Sequence, residues 1–497
     1  MAEYILGIDC GNTAVKAAVF DREGRQLGSR ATRVETRFPQ PGHSESDMYG
    51  LWNKTVGVVQ GVLTELSIHT DQIKAVGVSG HGNGAYLLDH KDKPLLGIQS
   101  LDNRADELIQ EFQKSDSYQQ IRELNRQGLW PSQTAALLMW LKRHTPEVYS
   151  NIGRVLFCKD YINFCLTGKC STDYGDLSAS GLFDFTRNEV SQPLLKLLNL
   201  EEITHKVAPP VQSEDVVGVV TGEAAGLTGL KPGTPVVAGL FDVISSALGS
   251  GVWDVSEASI ITGTWSINQV VTRDLPSDEL FMSSVFPGGR YLAMENSATS
   301  ASNLEWFVRE FFQTEQQVAE TLNQKVFDYC NAMVEKVDIT EQLPLFHPYL
   351  YGSSDSATAG ASFFGLSGWH RKADLLYAVY EGIVFGHLEH LLKLRKAGID
   401  VDLARLSGGG ARSAFWSQLF ADVLEIDIWV NRCNECGTKG AAMAAATAAG
   451  FYPNFARAVA EMSGDYQVFS PDPKKRDILG RRFKRYQVIS ELINKGL

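Results

Sequence analysis

"YILGIDCGNTAVKAAVF", residues 4–20, divides into two apolar, strand-like runs around the polar turn DCGNT at 9–13. The next segment, "DREGRQLG", reads as another hairpin turn with a further short strand beyond it. From 48 to 66 the apolar residues Leu51, Val56, Val59, Val62, Leu63 and Leu66 fall at helical spacing. "IKAVGVSG" (73–80) is a buried strand ending in glycine. Strand hairpins followed by a helix and then a strand predict an α/β layered fold.

The pattern restarts further along. "KPGTPVVAGLFD" is a loop running into an apolar strand that ends at Asp242, and "EASIITGTWSINQVV" (257–271) is again strand, small polar turn, strand. A long helix is predicted over 373–396, and "LARLSGGGARSAFWSQLFADVL" reads as strand, glycine turn, helix. "GTKGAAMAAATAAG" (437–450) is a small-residue helix suited to close backbone packing. Two strand–turn–strand units therefore recur, with tips DCGNT at 9–13 and TGTWS at 262–266.

A chain of 497 residues is too long for one ordinary core, and 44% hydrophobic with 21% charged residues is a globular composition. The net charge of −12 argues against a dedicated nucleic-acid binder, although backbone N–H groups can still hold an anionic cofactor. The seven cysteines are odd in number and scattered, as expected of reduced thiols in the cytosol. Cys433 and Cys436 form a C-x-x-C without a second pair at zinc spacing, so they read as two ordinary thiols on a loop. The first residues do not resemble a signal peptide, and no apolar run is long enough to span a membrane. A soluble, cytoplasmic protein is expected.

Several stretches could carry chemistry. At the first tip, Asp9 ends a strand, Gly11 permits a tight turn, Asn12 and Thr13 offer donors, and Lys16 follows as a compact cation. Such a tip can cradle phosphate, and an aspartate at its edge can position hydrated Mg²⁺. It is not a Walker loop. "GGGARSAFW" (408–416) is a second glycine turn entering a helix, where a flat ring or a phosphate can approach the backbone. "SGHGNGAYLLD" (79–89) lacks the spacing of a dinucleotide fingerprint and continues as a strand, leaving His81 and Asn83 as possible substrate contacts. "AGLFDVISSALGSG" (238–251) contains one ionisable side chain, Asp242, among apolar neighbours that limit its hydration. On its own it is either a reactive carboxylate or a structural cap for the helix that follows. "HLEH", with His387 and His390, reads as a solvated helix face. "KKRDILGRRFKR" (474–485) reads as a charged helix surface with Ile478, Leu479 and Phe483 packed inward.

With DCGNT, TGTWS and GGGAR in this order, the chain resembles the FGGY family of carbohydrate kinases. "ASFFGLSGWHRKADLLYAVYE" (361–381) matches the family's second signature at Ala361, Phe363, Gly365, Leu366, Asp374, Ala378 and Glu381. "SQTAALLMWLKRH" (132–144) follows the first signature but has Leu137 where the pattern asks for lysine. The resemblance implies a two-domain, actin-like ATPase fold of the sugar kinase, chaperone and actin type, built from ribonuclease H-like domains. A sugar-binding domain over 1–247 and a nucleotide-binding domain over 248–497 are expected. The cofactors implied are ATP and Mg²⁺, with Asp242 as catalytic base and Asp9 as partner of the hydrated metal. Gly11, Asn12, Thr13 and Lys16 would form the first phosphate tip and Gly263 and Thr264 the second. Gly408, Gly409, Gly410 and Ser413 would border the adenosine. Sugar contacts are expected at His81, Asn83, Asp102, Arg104, Trp130 and Gln133, unless Asp102 and Arg104 merely pair with each other on the surface.

Within the family, "AGLFDVISSAL", "GTWS", "ENSATSASNLEWF" (295–307) and "FHPYLYGSS" (346–354) are similar to bacterial L-xylulose kinases. The acceptor implied is a free ketose, L-xylulose or 3-keto-L-gulonate. "SGHGNG" departs from the usual glutamine-containing segment, which leaves D-xylulose, ribulose, erythritol or glycerol as alternatives. A non-metabolic actin-like or chaperone ATPase is the alternative from another class. It would keep the phosphate tips but need neither Asp242 in its apolar segment nor the 361–381 signature. A homodimer is plausible from the family.

Overall fold

Ile5, Leu6, Ile8 and Cys10 are all fully enclosed, as expected of a strand covered on both faces. The structure, a computed structural model, describes residues 2–496 apart from 354, 357, 432 and 434. Tyr4–Cys10 pairs antiparallel with Ala14–Phe20, which pairs antiparallel with Gln26–Arg33. On its other side Tyr4–Cys10 runs parallel to Ile73–Gly80, and Pro235–Val237 and Leu240–Phe241 continue the sheet in parallel. Three antiparallel strands thus lead into parallel ones, and Asp9 stands opposite Lys16 on one side and Ser79 on the other.

The two faces of this sheet are covered differently. Helix Met48–Glu65 begins at Asp47, whose side chain accepts from the Gly50 amide, and it buries Leu51, Val58, Val59, Val62 and Leu63. Helix Cys436–Ala448 approaches the other side at backbone distance. A Cβ on Gly7 would lie 2.0 Å from the Thr438 carbonyl oxygen, and one on Gly77 would lie 2.0 Å from that of Ala441. Side chains larger than hydrogen are excluded at both places. The same helix packs on Asp242–Gly249, where a Cβ on Gly440 would meet the Ser245 carbonyl oxygen at 2.0 Å.

Two compact units result: residues 1–253 with 271–293 and 433–464, and residues 254–270 with 294–432 and 465–497. The expected single boundary near 247 therefore follows the packing only in part. The small-residue helix lies late in the chain, yet its glycine contacts fasten it to the first unit.

In the second unit Glu257–Thr262 pairs antiparallel with Ser266–Thr272 and parallel with Leu403–Gly408, repeating the plan of the first. Leu403–Gly408 continues parallel to Asp427–Asn431, and Tyr466–Phe469 closes the edge antiparallel. Helix Lys372–Lys396 starts where the Arg371 amide donates to the Asp374 carboxylate at 2.7 Å. Glu381, on the same helix, holds Arg482 through two buried contacts of 2.7 and 2.5 Å. Both acidic residues of the 361–381 signature are thus structural.

Two expectations require correction here. In helix Arg476–Asn494, Leu479 and Phe483 are buried and Ile478 half-buried, but Arg482 is also enclosed, its guanidinium donating to Glu381 and to the Thr340, Leu343 and Pro344 carbonyls. His387 and His390 do not form a solvated face: both are buried. Their side of the helix points into the second unit, where polar side chains from distant strands meet them.

Candidate active site

The first tip is tightened by the Gly11 amide donating to the Ala14 carbonyl at 3.0 Å, leaving Thr13 exposed. Lys16 Nζ lies 2.7 Å from the Glu435 carboxylate, and both side chains are partly exposed. Asp9 has a buried Oδ1 with no protein hydrogen-bond partner. Burial raises its pKa, and the nearby Lys16 ammonium opposes that shift. The Asp9 carboxylate also abuts the first turn of Cys436–Ala448, since a Cβ on Gly437 would meet Asp9 Oδ2 at 2.6 Å. Helix N-termini favour negative charge, so this position suits an anion.

Asp242 opens the helix Asp242–Gly249 directly after the strand Leu240–Phe241. It is partly exposed, whereas Leu240, Phe241, Val243 and Ile244 around it are buried. Desolvation, followed by the charge of Asp9, pushes its pKa up to about 8. A carboxylate so disposed binds a proton far more readily than one in water.

The segment His81–Asn83 follows strand Ile73–Gly80 and lies against Asp242's neighbour, because a Cβ on Gly82 would meet the Phe241 ring at 2.4 Å. The His81 amide donates to the Cys10 carbonyl at 3.0 Å, joining this segment to the first tip. The His81 ring is occupied by the Tyr86 hydroxyl at 2.9 Å and the Gly82 carbonyl at 3.4 Å. Asn83 sits at φ 60 with a buried, unpartnered Oδ1. Gln133 donates to the Ala179 carbonyl at 3.3 Å and keeps a buried, unpartnered Oε1. The Gly84 amide donates to the Ser132 carbonyl at 2.9 Å, which brings these two segments together. Trp130 stacks on Phe281 with ring centroids 5.0 Å apart.

Asp102 and Arg104 do pair with each other, but not on the surface. Asp102 is fully enclosed and Arg104 is nearly so, with Nε at 2.9 Å from Oδ1 and Nη2 at 2.9 Å from Oδ2. Arg104 also reaches Glu45 at 2.8 Å, and the Ser44 amide donates to Asp102 at 2.6 Å. Ser44 Oγ donates to Gln99 at 3.0 Å, Gln99 Nε2 donates to the Asn12 carbonyl at 3.1 Å, and Asn12 Nδ2 donates to Ser100 at 2.8 Å. A continuous polar chain thus runs from the buried ion pair to the first tip.

Gly263, Thr264, Gly408, Gly409, Gly410 and Ser413 belong to the second unit. Thr262 and Gly408 are register partners, so the second tip and the glycine turn are brought together. Gly408 has φ +87 and Gly410 would place a Cβ 2.4 Å from Thr262 Oγ1, so packing alone requires glycine at both. Ser413 accepts from the Trp416 amide and donates to Asn331 at 2.9 Å, capping Ala414–Leu424.

Gln99, Phe281, Glu435 and Gly437 border this site and were not foreseen. Gln99 and Phe281 come from segments without motif character, Gly437 opens the small-residue helix, and Glu435 falls inside the C-x-x-C, 419 residues from the lysine it contacts.

Models of the FGGY family of carbohydrate kinases match the chain over residues 4–249 for the N-terminal domain and 258–449 for the C-terminal domain. An L-xylulose/3-keto-L-gulonate kinase from Escherichia coli is 36% identical over 491 residues, covering 98% of this chain and 96% of that protein. A probable L-xylulose kinase from Pasteurella multocida is 35% identical, covering 89% and 90%. Among solved structures, a gluconate kinase from Lactobacillus acidophilus superposes with a TM-score of 0.90 at 22% identity, covering 100% of this chain and 99% of that one.

Proposed function

Because the chain belongs to the FGGY family of carbohydrate kinases and is an ATP-dependent sugar kinase, we propose that it phosphorylates L-xylulose or 3-keto-L-gulonate, with Asp242 as its catalytic base. The observation that carries the role of Asp242 is a partly exposed carboxylate in an apolar setting, with a pKa raised to about 8. It would take the proton of the sugar hydroxyl as that oxygen attacks the γ-phosphorus of ATP. The bond from the γ-phosphorus to the β,γ-bridging oxygen then breaks and ADP leaves. The unpartnered oxygens of Asn83 and Gln133 are suited to sugar hydroxyls, since a buried acceptor without a donor costs about 1–3 kcal/mol until a ligand supplies one. Trp130 offers an apolar wall, while His81, Asp102 and Arg104, already bonded within the protein, hold the pocket's shape.

Asp9 fits hydrated Mg²⁺ through its unpartnered buried oxygen. Among the described residues no group of three or more His, Cys, Asp or Glu side chains could hold a metal alone, and Mg²⁺ ordinarily retains waters and substrate oxygens. When bound, Mg²⁺ neutralises charge on the phosphates. In the first unit Gly11, Asn12, Thr13 and Lys16 would bind phosphate; in the second, Gly263 and Thr264 would bind phosphate and Gly408, Gly409, Gly410 and Ser413 would lie beside the adenosine.

A homodimer and a cytoplasmic location belong to the same reading; the seven cysteines are free thiols, and no helix among the described residues is long and apolar enough to cross a membrane.

ADP release from MgATP tests the reading across L-xylulose, 3-keto-L-gulonate, D-xylulose, ribulose, erythritol and glycerol, with Asp242→Asn alongside. Turnover on either of the first two that disappears in the variant is expected. Preference for another sugar overturns the substrate, and turnover that survives the variant overturns the base.

A further inference from the structure

The signature helix Lys372–Lys396 carries an enclosed imidazole that the reaction described above does not use. His387 lies in a network built from three distant segments of the second unit. Its Nδ1 is 2.7 Å from Asn268 Oδ1 and its Nε2 is 3.0 Å from Ser300 Oγ. Asn268 Nδ2 donates to Ser266 Oγ at 3.2 Å and to the Glu295 carbonyl at 3.3 Å, which fixes Oδ1 as acceptor and Nδ1–H as donor. Nε2 then accepts the Ser300 hydroxyl proton. Burial first, and the neighbouring His390 second, hold the imidazole well below its usual pKa, so it is neutral, as this tautomer requires.

Ser300 leads from this network to the second tip. Its amide donates to the Thr264 carbonyl at 3.1 Å, the Ala301 amide donates to the Gly263 carbonyl at 2.9 Å, and Ser302 Oγ donates to Thr264 at 3.2 Å. Ser266, at the other end of the tip, lies 3.1 Å from the His387 ring. The Gly263 and Thr264 carbonyls are therefore held from outside, which commits the direction of the Thr264 and Trp265 N–H groups in the same peptide planes, while the Gly263 amide closes the turn on the Trp265 carbonyl at 3.3 Å. From this we infer that His387 is a positioning residue for the nucleotide: through Ser300 and Ser266 it fixes the tip at Gly263–Thr264 in the orientation that receives phosphate. The inference rests on the assignment of that tip to ATP.

Steady-state kinetics on His387→Phe, His387→Gln, Ser300→Ala and Gly263→Ala tests it, with KM and kcat separated for ATP and sugar. The packing leaves open space at Gly263 apart from one carbonyl 4.0 Å away, so an added methyl group would obstruct a ligand without disturbing the fold. His387→Phe is expected to raise KM for ATP about tenfold with the sugar KM unchanged, consistent with losing hydrogen bonds inside a dry network. His387→Gln should recover part of the loss, and Ser300→Ala should raise KM for ATP by a smaller factor. A fall in kcat at unchanged KM in both His387→Phe and Ser300→Ala means a structural role only and overturns the inference, even when Gly263→Ala weakens ATP. An unchanged KM in Gly263→Ala removes the tip from the nucleotide site and the inference with it.

Discussion

Between Cys10 and Ala14 the chain turns beside a carboxylate and an ammonium; between Thr262 and Ser266 the turn itself is uncharged. Both turns link antiparallel strands, and in each the first strand runs parallel to one ending in glycine. Their fastenings differ. The first combines the partly exposed Lys16–Glu435 pair with the Asn12 and Gln99 amides, while the second combines hydroxyls and amides with a buried neutral imidazole. One backbone plan thus carries two different electrostatic settings. Under the proposed function, the first would suit a cation beside its carboxylate and the second would offer backbone donors to phosphate.

The largest test of this division is Asp242→Asn. General-base catalysis is worth about 10²–10⁴ in rate, so kcat should fall about 10³-fold with KM for ATP unchanged. A loss of only a few-fold would take Asp242 out of the chemistry near the first tip. Next in size, Asp9→Asn should lower kcat about 10²-fold and raise the Mg²⁺ concentration needed for half-maximal rate, in line with loss of a metal-positioning carboxylate. Gly263→Ala should shift KM for ATP with no change in Mg²⁺ demand. If titrations with Mg²⁺ move equally in both variants, the contrast between the tips fails.

The third effect concerns stability and pH. A carboxyl whose pKa is raised from 3.8 to about 8 holds its proton more tightly folded than unfolded. Its burial is therefore harmless below the lower value, and stability is lost progressively as pH rises through that window. Asp242→Asn should leave the melting temperature of the sugar-free protein unchanged near pH 4 and raise it by about 2–4 °C above pH 8. A melting temperature lowered at every pH would mean the carboxylate is a structural partner. Smallest is Glu435→Gln. A half-exposed ion pair is worth about 1 kcal/mol or less, so KM for ATP should change at most about fivefold, and the difference should shrink at high salt.

The strands and helices around both tips were legible because apolar periodicity is a local property. Strand Tyr4–Cys10, helix Met48–Glu65 and strand Ile73–Gly80 fall where alternation and helical spacing indicated. The small residues of 437–450 announced close packing, but not against which sheet, because the matching glycines, Gly7 and Gly77, lie hundreds of residues earlier and read there as ordinary strand positions. Asp102 and Arg104 read in sequence as sugar contacts or, alternatively, a surface pair, because Glu45 and Trp140, which enclose them, come from other segments. His387 was misread for the same reason: Asn268 and Ser300 lie 119 and 87 residues away. Asp242 stood out in sequence because its apolar surroundings are its own chain neighbours.

The glycine contacts between helix Cys436–Ala448 and the first sheet have a consequence for biosynthesis. The unit that begins at the N-terminus is finished by residues 433–464, which leave the ribosome after most of the second unit. At elongation rates of about 5–20 residues per second, the sheet face carrying Gly7 and Gly77 stays uncovered for on the order of tens of seconds after residue 253 is made. A nascent chain halted in that interval presents two bare backbone grooves beside apolar strands, so this kinase should depend on chaperones during translation more than its finished stability would suggest.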